Sequence, residues 1–194
     1  MTHTAVLAVG AGGAGLALAM WGGARHGRAM VSVVSAYAAL VLMLFTVAVR
    51  PVAQLRRRRI PMSTDLRRDA GLVAAVSVAV HVIAALGNHF GGVVGRYFFV
   101  DHAVRTDRFG WMTWSGVLAT VLVLLLVATS NDASVRRLRK RWKTVQRAVH
   151  VMIAVSVAHD LLAARLLGRS TALLVTPLVA ALCLYVLRFV AARG

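Results

Sequence analysis

Apolar and charged positions segregate into long blocks along this chain. Six runs are almost free of charge and approach the ~20 residues that cross a bilayer as a helix. They cover roughly 4–23, 29–49, 70–88, 111–129, 146–164 and 171–190. Short charged segments separate them. The pattern predicts an all-α, polytopic membrane protein, a six-transmembrane-helix bundle in a single transmembrane domain over 1–194. The start, MTHTAVLAV, has no basic side chain apart from a histidine. It lacks the n-region of a cleaved signal peptide, so the first run reads as a retained helix.

The loops set the orientation. Of 23 Lys and Arg, sixteen fall in 50–68, 131–147 and the C-terminal end, and seven lie on the other side. The positive-inside rule then places both termini in the cytoplasm of a cell (inner or plasma) membrane. The longest outer loop is roughly 89–110, with Tyr97, Phe98 and Phe99, and with Trp111 and Trp114 close behind. These aromatics read as anchors at the membrane interface.

Composition agrees with this reading. Hydrophobic residues make up 59% of the chain and charged residues 15%, which excludes an ordinary soluble domain. A net charge of +17 raises the question of nucleic acid. Its confinement to short loops fits anionic lipid instead, and no nucleic-acid partner is expected. The single cysteine, Cys183, offers no redox pair.

Residues 10–15, GAGGAG, match a dinucleotide-binding turn. No acidic residue follows about 20 positions on, as the ribose would need. Small residues four apart inside an apolar run read instead as a helix-packing face.

The candidate chemistry lies in the histidines. His3, His26, His89 and His102 fall in the tail, in loops or at span ends, and read as solvated positions. His89, Asp101 and His102 share the outer loop and could bind a metal, at a spacing that matches no recognised site. His81 and His159 are different. His81 stands 13 residues beyond Arg68, and His159 stands 12 beyond Arg147. Both therefore sit roughly 18–20 Å from the basic end, at one depth in two helices. The helix faces around them are mostly small, with Ala74, Ser77, Val78, Ala84 and Ala85 on one and Val155, Ser156 and Ala163 on the other. That leaves room for a flat macrocycle, and imidazole is a common axial ligand of haem iron. Two readings stand beside this one: a hydrogen-bonded pair, and a haem-free transporter or proton relay using His81, His159 and Asp160. His150 lies nine residues before His159, on the opposite face and about 13 Å lower, so it cannot serve the same site.

Arg67-Arg68-x-x-Gly71-Leu72, then eight residues, then His81, resembles the third span of the MsrQ (YedZ) family. These are haem-binding membrane subunits of the ferric-reductase-like superfamily. A second block agrees: Ala128-Thr129-Ser130, a basic loop, Trp142, then His159. The resemblance covers about 45–165. It implies b-type haem between helices, with His81 and His159 as iron ligands. One haem is expected, with two as the alternative. Many members carry a further histidine where this chain has Gln146, and His150 lies one turn later. The departure counts against a second, cytoplasmic-side haem, for which Gln146 and His150 are the weaker cofactor-binding candidates.

The function implied is an electron-transfer subunit rather than a complete enzyme. No residues remain for an FAD or NADPH domain, so the donor is external. Tunnelling weakens steeply with distance, and a single outer haem favours a membrane quinol. A cytosolic flavin reductase on the basic loops is the other option. FMN or quinone as a bound cofactor is not derivable. The acceptor would be extracytoplasmic, in the MsrQ system a methionine-sulfoxide reductase. Direct metal reduction at the His89–His102 loop is a variant.

Overall fold

The computed structural model describes residues 2–19, 27–55 and 63–193. Arg25, His26, Arg56 to Arg59 and the last residues of the first expected span lie outside them. Six long helices carry the fold: α1 (Thr2–Ala19), α2 (Gly27–Leu55), α3 (Ser63–Leu86), α5 (Arg108–Ala128), α8 (Ala148–Leu166) and α9 (Thr171–Arg193). Short helices α4 (Gly95–Phe98), α6 (Asp132–Leu138) and α7 (Lys140–Gln146) lie in the connections, with a small hairpin of β1 (Phe99–Val100) and β2 (Ala103–Val104). Among the described residues, five helices are long and apolar enough to cross a membrane, and α1 contributes the shorter apolar stretch Val6–Gly15. The protein is a multi-pass transmembrane helical bundle.

The helices pair. α2 packs along α3 and α1, and α5 packs along α8, with α9 against α2 and α8. Leu42 of α2 and Ile153 of α8 are fully buried and anchor the apolar centre. The glycines of GAGGAG all lie inside α1. A Cβ at Gly13 would press on Val41 and on the Tyr37 carbonyl of α2, so the small residues bring two backbones together.

The start of α5 is capped by a side chain. Asp107 caps α5 by accepting from the Gly110 amide at 2.8 Å. Its carboxyl is held below the usual range, first by the Arg105 side chain and then by that amide. Gly110 is required there, because a Cβ would overlap the Arg105 backbone carbonyl.

The connection after α3 folds back onto that helix through one buried residue. Tyr97 is only 5% exposed. Its hydroxyl lies 2.9 Å from both the Ala85 and Leu86 carbonyls, capping the end of α3. This corrects the reading of Tyr97 as an interfacial anchor. The alternation of apolar and polar residues in this loop gave no signal for a contact eleven residues back.

Candidate functional site

The α2–α3 pair and the α5–α8 pair enclose a cavity of about 920 Å³. His81 of α3 and His159 of α8 face each other across it. Their ring centroids are 6.1 Å apart and the planes stand at 81°. Each ring is fixed from behind. Nδ1 of His81 lies 2.7 Å from the Ser32 carbonyl and 3.2 Å from the Ser32 hydroxyl. Nδ1 of His159 lies 2.8 Å from the Met112 carbonyl and 3.3 Å from the Ser115 hydroxyl. A carbonyl only accepts, so in the neutral ring Nδ1 carries the proton and Nε2 keeps its lone pair. Metal-ligating histidines are held by second hydrogen bonds of this kind.

The spacing suits one metal ion between the rings. Metal–nitrogen bonds of about 2 Å on each side, plus half a ring width each, put the centroids roughly 6 Å apart. Among the described residues, no group of three or more His, Cys, Asp or Glu could hold a metal ion. A metal ion held by the two imidazoles alone would need its remaining donors from a bound ligand. Gly116 of α5 opens the space for the His159 ring: a Cβ there would lie 2.9 Å from Cε1. The walls beyond are apolar, with Leu40, Met43, Val78 and Val123 toward the bundle centre.

The opposite end of the cavity is cationic. Arg28 from the start of α2 and Arg169 from the α8–α9 turn both line it, together with His89. Arg28 donates to the Gly87 carbonyl at 3.4 Å. Arg169 pairs with Asp160 at 3.5 Å, both side chains being nearly buried at 13% and 11% exposure. Tyr37 donates to the other Asp160 oxygen at 3.2 Å. Burial pushes the His89 imidazole pKa down, and the Arg169 charge adds to this. His89 is thus a half-buried wall of the cavity and not a solvated loop residue. Removing one partner of a buried ion pair costs about 3–5 kcal/mol. Asp160→Ala is therefore expected to lower the thermal midpoint of the detergent-purified protein clearly, and Asp160→Asn to lower it less. An unchanged midpoint in Asp160→Ala would contradict the buried pair.

The other candidate residues stand apart. His150 meets the Tyr185 hydroxyl at 3.2 Å and is not in the cavity wall. Gln146 donates to the Thr129 hydroxyl at 2.9 Å. The Trp142 indole donates to the Thr129 carbonyl at 2.8 Å. Thr129 and Trp142, two residues of the shared pattern, thus clamp the end of α5 to α7. Asp101 and His102 line an open hollow on the loop, which His89 does not join.

Sequence reasoning missed Ser32, Ser115 and Gly116, and it named no partner for an anionic ligand group. The only signal for Arg28 and Arg169 was their position at span ends on the sparsely charged side.

Residues 32–157 match the family described as "Ferric reductase like transmembrane component". The matched segment holds His81 and ends two residues before His159. Three relatives are each named "Protein-methionine-sulfoxide reductase heme-binding subunit MsrQ". The one from Bordetella pertussis is 30% identical over 122 residues, 62% of this chain and 54% of the relative. The one from Caulobacter vibrioides is 27% identical over 121 residues, with the same shares. The one from Rhizobium meliloti is 28% identical over 102 residues, 53% of this chain and 44% of the relative. The chain thus spans about half the length of the curated relatives it matches. No solved structure matches it.

Proposed function

The chain belongs to the family of ferric reductase like transmembrane components, and we propose that it is the haem-carrying membrane subunit of an electron-transfer system. One observation carries this reading. Two imidazoles from separate spans face each other at 6.1 Å with Nδ1 on backbone carbonyls, in a cavity large enough for a flat ligand. His81 and His159 would hold b-type haem through Nε2, and Ser32, Met112 and Ser115 would orient the two rings. Haem supplies one-electron exchange at its iron, which no side chain here can supply alone.

Arg28 and Arg169 would bind the two haem carboxylates at the cationic end, with Asp160 and Tyr37 fixing the direction of Arg169. Guanidinium groups suit carboxylates because their donors match both oxygens. The apolar walls at the other end would take the vinyl edge. The basic loops 50–68 and 131–147 would face the cytoplasm, and the haem, with Arg28 and Arg169 at its carboxylate edge, would lie toward the outside of the plasma or inner membrane. A quinol in the bilayer fits as donor at that depth, with a separate flavin reductase as the alternative. The acceptor would be an extracytoplasmic reductase, of the methionine-sulfoxide kind named in the relatives.

Reconstitution of the apoprotein tests this. Iron protoporphyrin IX is expected to bind at about one equivalent per chain. Its dimethyl ester, which lacks the carboxylates, is expected to bind at least ~10-fold more weakly, a difference of 1.4 kcal/mol. Arg28→Leu and Arg169→Gln should shrink that difference. Equal binding of acid and ester would sink the arginine assignment alone. No uptake of either would favour a haem-free relay or transporter.

A further inference from the structure

The loop between α3 and α5 has two unlike faces. Its inner face is an aromatic cluster of His89, Phe90, Tyr97 and Phe109, with the Arg105 guanidinium over the Phe90 and Phe109 rings at 5.0 and 4.8 Å. Its outer face is the β1–β2 hairpin, where Phe99 pairs with Val104. Phe99, Val100 and Val104 are 52%, 47% and 54% exposed. Val100, opposite Ala103, lies on the other face of the hairpin, so apolar side chains are exposed on both faces. A two-stranded hairpin is marginal in water, and apolar surface exposed in this way marks a contact surface.

The neighbouring surface indicates what covers it. The outward face of α5, with Trp111, Trp114, Leu118 and Val121, is the flank of a span and is exposed in the bundle. That flank continues onto the hairpin. The Phe98 ring meets the Trp114 ring at 5.2 Å, and the Trp114 indole donates to the Arg105 carbonyl, the residue after β2. Trp residues with one hydrogen-bonded edge and one apolar edge settle at the membrane–water boundary. Exposed Arg96 and Arg108 flank the same patch and complement lipid phosphate.

We propose that the Phe99–Val104 hairpin is seated in the bilayer interface, with its apolar side chains at the boundary between headgroups and acyl chains. The occupant is phospholipid and not a protein. The hairpin then fixes the mouth of the cavity, with Arg28, His89 and Arg169, at the membrane surface. A soluble partner would approach from above this loop and not through the hairpin.

The test uses the full chain in nanodiscs of phosphatidylcholine and phosphatidylglycerol. Cys183 is changed to Ser, and a nitroxide is placed on single cysteines at Val100 or Val104. Leu118 serves as the lipid-facing reference and Arg139 as the water-facing one. Collisions with oxygen and with a water-soluble nickel chelate are compared. Labels at 100 and 104 are expected to favour oxygen over the chelate as the Leu118 label does, by several-fold over Arg139. Free access for the chelate would place the hairpin in water and overturn the proposal. Shielding from both reagents would mean that protein covers it, and would overturn it equally. Neither readout depends on haem, so the proposal stands or falls apart from the functional reading.

Discussion

Replacing either His81 or His159 by alanine is expected to remove nearly all haem from the purified protein. In the proposed site the pair would share one iron, so neither change would leave a competent half-site. The remaining imidazole would face the gap left by its partner, with no third His, Cys, Asp or Glu grouped with the pair among the described residues. Each variant should therefore lose the α-band of the dithionite-reduced spectrum, while His150→Ala, which lies outside the cavity, keeps it. Fold loss would imitate this result, so retained helicity by circular dichroism belongs in the measurement. Haem content at the wild-type level in His159→Ala would contradict the assignment. So would equal losses in all three variants.

Gly116→Ala is expected to weaken haem retention although it removes no polar atom. The new Cβ would sit 2.9 Å from Cε1 of His159, closer than such contacts occur. The ring cannot turn aside freely, because Nδ1 is tied to the Met112 carbonyl at 2.8 Å. Either that bond breaks or the ring shifts from its present position 6.1 Å from the His81 ring. Losses of orienting contacts behind metal ligands cost about 10–100-fold in affinity. The same range is expected here, read by competition for haem with apomyoglobin. Gly116→Leu should go further and abolish binding. Wild-type affinity in Gly116→Ala would show that the ring does not rest against α5.

Much of the bundle was legible because hydrophobic blocks of span length leave few choices of fold. Expected and observed helices agree closely in the middle: 111–129 against Arg108–Ala128, and 146–164 against Ala148–Leu166. The shared depth of His81 and His159 could be counted from Arg68 and Arg147, since helical rise is constant. What surrounds the rings could not be counted. Ser32 and Met112 act through backbone carbonyls, which every residue carries, and Gly116 acts through a missing atom. Arg28 and Arg169 lie 141 positions apart and meet one cavity only through the fold. Tyr97 looked like a membrane anchor because its type favours interfaces; its hydroxyl instead found the open carbonyls of α3.

The most direct measurement is the electron paramagnetic resonance spectrum of the oxidised, purified protein at low temperature, with haem quantified per chain. The imidazole planes stand at 81°. Perpendicular imidazoles leave the two iron d orbitals that they perturb nearly equal in energy, which gives a strongly anisotropic low-spin ferric signal. One such signal, integrating to about one haem per chain, is the predicted result. A high-spin signal, or a protein that holds no haem, would contradict the account of His81 and His159 as a paired iron site.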